Sequence, residues 1–425
     1  MNRRTFLLGV PAASAVMTHK AVAASDTVNL AIIGVRGRGR SIGGSLASIP
    51  GANIAALCDV DDASYGVGAK AVEAKLGKRP PHVKDLRRCL DDKSIDAVVV
   101  ATPDHWHVPA ALLALSAGKD VYVEKPLSHN LHEGRLLLDA TRKLKRVVQV
   151  GIQSRSRPST QRAIEVVRSG KIGKVLMAKA WNVQLRKNIG HKEDAPVPAG
   201  IDFDTWTGPA LMLPYNENRY HYNWHWHWNY GTGDMGNDGV HQLDMARWAL
   251  DVDVPQRVTG TGRKLFFDDD QQTPDTMNIN FEFKDKMLMF EMRIWTPYGM
   301  EGQENGVGIY GSNGMVHIGR WTGPWGYRVY DTKGNLVDDQ SNGGDGSDAQ
   351  HLSNFLACVK SRQQPNAPVE MGHASTTLCH LGNIVARTGR ALAFDGVKET
   401  ITGDPEASAL LRRKYRQHWS TPKGA

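Results

Sequence analysis

The chain has 425 residues, 41% of them hydrophobic and 23% charged, with a formal net charge of +8. That length is enough for two domains with substantial cores. Basic residues are mixed with acids throughout, the pattern of a solvated surface rather than a nucleic-acid groove.

Asn2-Arg3-Arg4-Thr5-Phe6-Leu7-Leu8 opens the chain, an apolar stretch continues to Val16, and Ala21-Val22-Ala23 follows. The stretch is shorter than the roughly 20 apolar residues of a spanning helix, and the small residues suit a signal peptidase. The order resembles the twin-arginine signal of proteins exported already folded; an ordinary secretory leader or a basic N-terminus on a cytoplasmic enzyme is the alternative. Residues 1–24 are therefore expected to engage the twin-arginine export machinery and leave the mature protein in the periplasm or otherwise exported. Arg3, Arg4 and Lys20 account for three positive charges, so the mature chain keeps +5. No later segment reaches transmembrane length, and no membrane span is expected. Cys58, Cys89, Cys358 and Cys379 form no CxxC pair, which argues for structural thiols over a disulfide or zinc framework.

The first domain is expected over residues 25–151. Val28–Ile33 is an apolar run ending at Gly34, as a buried parallel strand requires. Gly34-Val35-Arg36-Gly37-Arg38-Gly39 then opens a helix, and a second strand, 53–57, leads to Asp59, 25 residues beyond Gly34. In such a pattern glycines let the backbone approach a pyrophosphate and the acid accepts from ribose hydroxyls. A carboxylate there repels a 2′-phosphate, so NAD is expected over NADP. Arg36 holds the place of the middle glycine. Either the loop shifts register around Gly37 and Gly39, or Arg36 turns outward, or its charge meets the phosphates.

Strands 97–101, 120–123 and 147–150 alternate with helices 109–116 and 131–144. The alternation predicts an α/β fold with a doubly wound parallel sheet and ligands at the carboxyl ends of its strands. Thr102, Pro103 and His107 follow one strand, Glu124-Lys125-Pro126 the next, Gln153 and Arg155 the last. Lys125 lies where one side chain meets nicotinamide and substrate together, placed to orient a hydroxyl or exchange its proton; merely capping the strand is its plainer role.

The second domain is expected over residues 152–425. Residues 159–169 read as a helix and 175–183, 258–265, 277–283 and 287–295 as strands, the last two a hairpin about Lys284-Asp285-Lys286. Asn313-Gly314 supplies the positive φ of another tight hairpin. Successive strands without helices between them predict an antiparallel sheet. Residues 351–394 read as largely helical, and Gly343-Gly344-Asp345-Gly346-Ser347 as a mobile surface loop that could border the cleft.

Glu124-Lys125-Pro126, with Thr102-Pro103 and His107 before it and Gly231-Thr232-Gly233 and Gly239-Val240-His241-Gln242-Leu243-Asp244 after it, resembles the Gfo/Idh/MocA oxidoreductases, which act mostly on sugars, inositols and related polyols. The similarity runs through nearly the whole mature chain. It implies a Rossmann domain, then an α/β domain with a large, open, mostly antiparallel sheet, an active site between them, and a homo-oligomer, dimer or tetramer. Gly34, Arg36, Gly37, Arg38, Gly39, Asp59, Thr102, Pro103, His107, Glu124 and Lys125 are the expected cofactor contacts. The resemblance further implies that Lys125 positions the substrate hydroxyl and His241 accepts its proton, while the nicotinamide takes hydride from the same carbon. Gln153, Arg155, Trp228, Asn237 and Asp238 are the expected substrate contacts.

The chain departs from many family members at Asn237, four residues before His241, where they place an aspartate. An amide holds a hydroxyl but accepts no proton, and Asp238 replaces the acid only if the local backbone differs. A buried His241 satisfied by Asp244 is the structural alternative.

Tyr220-His221-Tyr222-Asn223-Trp224-His225-Trp226-His227-Trp228-Asn229-Tyr230 alternates aromatics with His and Asn. Extended, it would place its aromatics on one face, to stack on sugar C–H surfaces or to pack in a core or subunit contact. Trp228 is the expected substrate wall, being nearest in sequence to the glycine-rich turn. His225 and His227 have no convincing third ligand, and no metal is expected. Asp202 to Pro209 resembles a family loop and reads as support beside the site. The function expected is exported, NAD-dependent oxidoreduction of a sugar, glycoside or polyol hydroxyl with a retained cofactor. Redox-neutral glycoside hydrolysis and a non-catalytic sugar-binding or assembly subunit are the alternatives.

Overall fold

The structure, a computed structural model, describes residues 27–321, 323–345 and 348–424; the expected signal peptide lies outside them, as do residues 346 and 347 of the glycine-rich stretch. Six parallel strands form the first sheet: β1 (Val28–Ile33), β2 (Ala52–Cys58), β3 (His82–Val83), β4 (Ala97–Val100), β5 (Asp120–Val123) and β6 (Val148–Val150). Their spatial order is β3-β2-β1-β4-β5-β6, so the winding reverses between β1 and β4. The crevice outside their carboxyl ends is where such a sheet binds ligands. Every residue of β4 and β5 is buried, because helices cover both faces of a parallel sheet.

The helix Asp104–Ser116 begins five residues before the expected start at Pro109. A proline there removes the bond to the carbonyl of His105. Arg413, from the distant C-terminal tail, donates to that carbonyl at 3.0 Å instead. The helix therefore continues through a residue that reads as its beginning.

The second sheet has ten strands: β7 (Val175–Val183), β8 (Arg257–Arg263), β9 (Thr276–Glu282), β10 (Met287–Arg293), β11 (Asn305–Gly311), β12 (Gly314–Gly319), β13 (Trp325–Tyr330), β14 (Leu336–Asp345), β15 (Leu392–Asp395) and β16 (Thr400–Thr402). Their order is β14-β13-β12-β11-β7-β10-β9-β8-β15-β16, antiparallel except for β7 beside β10. Met277, Ile279 and Phe281 on β9, with Leu288, Phe290 and Met292 on β10, enter one core, while the residues between them face outward. That alternation is what a sheet covered on one face requires. The helices Val240–Leu250 and Val369–Thr388 supply the cover.

Residues 392–395 are strand, not helix as expected, and β14 runs through 345, where a loop was expected from 343. After the second sheet the chain returns to the first, where Leu352, Phe355 and Leu356 of the helix Ala349–Ser361 pack with Leu30 and Tyr122. All four cysteines are buried free thiols. No described helix is long and apolar enough to cross a membrane.

The aromatic strip is not extended. His221–Trp226 is a 3₁₀ helix, which repeats every three residues where a strand repeats every two. The aromatics therefore do not share one face: Trp226 and Tyr230 are buried, and Tyr222 is exposed.

Candidate active site

A cavity of about 680 Å³ opens at the winding reversal, walled by Gly34, Arg36, Gly37 and Arg38 on one side and by Thr102, Pro103 and His107 on another. Asp59 stands toward one end and Glu124, Lys125 and Asn237 toward the other. All eleven residues expected at the cofactor are in this wall except Gly39, which lies beneath it. A Cβ on Gly39 would sit 1.8 Å from the Gly34 carbonyl oxygen, and one on Gly34, at φ +82°, would sit 2.7 Å from that of Ala101. A Cβ on Gly37 would meet nothing within 4 Å. The crossing of loop and strand thus needs Gly34 and Gly39, while Gly37 faces open space. Gly39→Ala is expected to abolish NAD(H) retention and to cost about 1–3 kcal/mol of stability from overpacking, checked by thermal melting and by assay of bound nucleotide.

Arg36 is exposed at the rim, in the N-cap position of the helix Gly37–Leu46, and no side chain caps that helix. Its first N–H groups are open to an anion. Thr102 Oγ1 and Arg38 NH2, both buried, have no partner among the described groups. With the glycine crossing, these features fit a dinucleotide. Asp59 accepts from Val35 N at 2.8 Å and Asp61 N at 3.0 Å. Burial pushes its carboxyl up to about 6 against those bonds, so it is ionised at neutral pH and able to accept from ribose.

Arg38 is spent differently from the expectation. Its Nε donates to Glu124 at 2.9 Å and its NH1 to Asp348 at 2.5 Å, so it fixes the strand-end glutamate and leaves only NH2 for a ligand. Burial would raise the Glu124 carboxyl, but Arg38 and Lys125 hold it down at about 2. His107 bridges two strand ends, Nδ1 to the Pro126 carbonyl at 2.7 Å and Nε2 to that of Thr102 at 2.9 Å. These contacts make the Glu-Lys-Pro corner a fixed platform.

At that corner Lys125 Nζ donates to the Asn237 carbonyl and, at 3.0 Å, to its Oδ1. Met235–Gly239 forms a π-helical turn directly before the helix Val240–Leu250. Such a turn adds a residue to the helical repeat, so the backbone here differs from the regular helix in which position 237 lies one turn before 241. Asn237 reaches Lys125, and Asp238 pairs with Arg186. Burial opposes ionisation of Asp238, but Lys125 and Arg186 hold its carboxyl low; Asp234, deeper beside the same arginine, is pushed up by burial.

His241 lies just behind this wall. Burial and the Lys125 charge hold its imidazole down at about 4, and its Nδ1 is buried without a partner among the described groups. Asp244 does not satisfy it, because that carboxylate is occupied by Arg155 and by Ser375 at 2.6 Å. The site thus offers a neutral imidazole, an ammonium and a carboxylate beside one cavity end, the set needed to move a hydroxyl proton.

Three expected substrate contacts are elsewhere. Arg155 is buried in a paired bond to Asp244 at 2.8–3.1 Å and stacks on Trp248. Gln153 donates to Tyr122 at 3.1 Å and Glu124 at 3.3 Å, so it braces the platform from behind. Trp228 is off the cavity wall, under Arg387; Tyr222, Trp224 and His225 are on it, since the 3₁₀ turn redirects the strip. No group of three His, Cys, Asp or Glu among the described residues is placed to hold a metal ion. Arg186, Asp234 and Asp348 were not expected. An arginine three residues past a strand end gives no local sign that it meets acids about 50 positions away.

The family described as "Oxidoreductase family, NAD-binding Rossmann fold" matches residues 28–152, and its "C-terminal alpha/beta domain" matches 167–421. Inositol 2-dehydrogenase 2 of Saccharopolyspora erythraea is 29% identical over 292 residues, 67% of this chain and 72% of that protein. A glycosyl hydrolase family 109 protein of the same organism is 34% identical over 188 residues, 43% of this chain and only 41% of that protein. The WlbA dehydrogenase of Bordetella pertussis, solved with NADH and UDP-GlcNAcA, has the same fold: TM-score 0.65, 18% identity, 87% of this chain and 99% of that one.

Proposed function

We propose that this chain, which belongs to the Gfo/Idh/MocA oxidoreductase family, transfers hydride between NAD and a ring hydroxyl of a sugar, glycoside or polyol, outside the cytoplasm and with its cofactor retained. One observation carries the reading: Lys125 lines one end of a cavity that fits a dinucleotide, and neutral His241 and ionised Asp238 stand behind that wall within reach of its charge and of each other's. Lys125 Nζ, fixed by Asn237, exchanges that partner for the substrate hydroxyl and orients it. The His241 imidazole takes the hydroxyl proton as the C–H bond gives up its electron pair and the carbonyl forms. A bound nicotinamide supplies the hydride acceptor. Asp238 stabilises the imidazolium, and Arg186 positions Asp238. Asp59 favours NAD, because its charge repels a 2′-phosphate.

The leader supports export, and retention follows from it, since a cofactor loaded before export has no pool to exchange with. Turnover then needs a second substrate that returns the hydride, or an electron carrier. A second reading, redox-neutral glycoside hydrolysis, is favoured by Asp238 as an additional ionised group beside His241, and by the similarity to the family 109 hydrolase. Arg36 at the rim leaves the cavity open, so a non-catalytic subunit is the weakest reading.

Denaturing the purified protein should release NAD(H) in stoichiometric amount. If none is released and added NAD does not bind, both enzymatic readings fail. A panel of sugars and glycosides then separates them: net reduction of the bound cofactor marks oxidation, and free sugar without net NADH marks hydrolysis.

A further inference from the structure

The cavity has a roof from the second domain. Residues Thr205, Trp206, Tyr220, His221, Trp224 and His225 line it opposite the glycine loop. The 3₁₀ turn runs along it lengthwise: His221 faces Asp61 at 3.7 Å near the Asp59 end, whereas His225 lies in the fields of Lys125 and Asp238 at the other.

This roof is bolted down at several places. Asp202 N donates to the Val60 carbonyl at 3.0 Å and Asp62 N to that of Gly200 at 3.3 Å, pairing the roof's edge with the loop after β2. Trp106 Nε1 and His105 Nε2 both reach the Trp206 carbonyl at 2.9 Å. Phe203, Trp206, Tyr220 and Tyr230 pack their rings together behind it. From the C-terminal tail, Arg416 donates to the Gly208 carbonyl and to Asp204, both at 2.6 Å. Tyr222 at the far edge accepts from Arg186 at 2.9 Å.

We propose that residues 200–230 are a fixed clasp that retains the dinucleotide, so that its escape requires this segment to lift from the loop after β2. The proposal rests on the dinucleotide reading above and adds the element responsible for retention. A strap built of aromatic packing and paired backbone raises the barrier to release, because the bolts must break together before the cavity opens. His221 is the hinge side, held at φ +45°, where asparagine is tolerated and most residues are strained.

The test is the rate at which bound NADH, followed by its fluorescence, is displaced by excess NAD⁺ from the whole protein. His221→Asn keeps the backbone conformation and removes the ring facing Asp61; Arg416→Ala loosens the strap from outside the cavity. Each is expected to speed release by about tenfold or more, with the change in affinity carried by dissociation. Melting curves establish that each variant is folded, and Arg416→Ala serves if His221→Asn does not fold. Release at the unaltered rate from the folded variants would overturn the clasp while leaving the dinucleotide site intact. Failure of the unaltered protein to bind NADH would sink the dinucleotide reading, and the clasp with it.

Discussion

Lys125→Met is expected to lower turnover by about three orders of magnitude, within the range for loss of a proton-handling group, while NAD(H) stays bound. Methionine keeps the aliphatic stem against the platform and removes the ammonium. Its bonds to Asn237 are lost, so the substrate hydroxyl loses the group that orients it. The charge matters beyond contact. Lys125 is a principal cause of the low His241 and Asp238 values, second only to the burial that lowers the first and opposes the second. Without it both groups rise, so the acid limb of the residual activity should move upward in pH. Unchanged turnover, or a loss without that movement, would show that Lys125 only caps its strand.

His241→Ala should lower turnover by about 10²–10⁴-fold, the span for a general base. In the unaltered protein the imidazole is held at about 4, so activity needing its neutral form should persist well below the ordinary histidine range and fall as the pH passes about 4. Stability carries the same signature. The unfolded chain protonates this histidine near its ordinary value of about 6.5, whereas the folded chain resists until about 4. Over that window the unfolded state binds more protons, so stability falls as pH falls. Melting temperature measured from pH 7 to pH 4 should therefore decline less steeply in His241→Ala than in the unaltered chain. Equal slopes would place His241 outside the buried site.

The buried parallel strands were readable because each is a short apolar run between turn residues, and a run flanked by helices leaves few packings. The hairpins were readable for the same local reason: Asn313-Gly314 and Lys284-Asp285-Lys286 sit between alternating segments. The fold of the aromatic strip is not legible in its alternation. Strict alternation fits a strand, but Tyr220 and Tyr230 pack their rings on Trp206 and the segment between them turns as a 3₁₀ helix, and no local pattern encodes that partner. Position 237 was ambiguous for a related reason. A π turn sets which side chain faces Lys125, and its presence has no signature in the local residue pattern.

Arg155, Gln153 and Trp228 follow strands or turns at the expected places, yet each points away from the cavity. A strand end fixes where a Cα lies; the direction of the side chain depends on partners such as Asp244, Tyr122 and Arg387, which come from elsewhere in the chain. The sequence by itself determined the two sheets and the Glu-Lys-Pro corner, because local pattern suffices for these, whereas the need for Gly34 and Gly39, and not Gly37, is set by the close approach of loop and strand. Tertiary structure alone decided that Arg38 secures Glu124, that Arg186 holds Asp238 and that residues 200–230 roof the cavity. Ion pairs and packing between residues far apart in the chain leave no periodic trace in it.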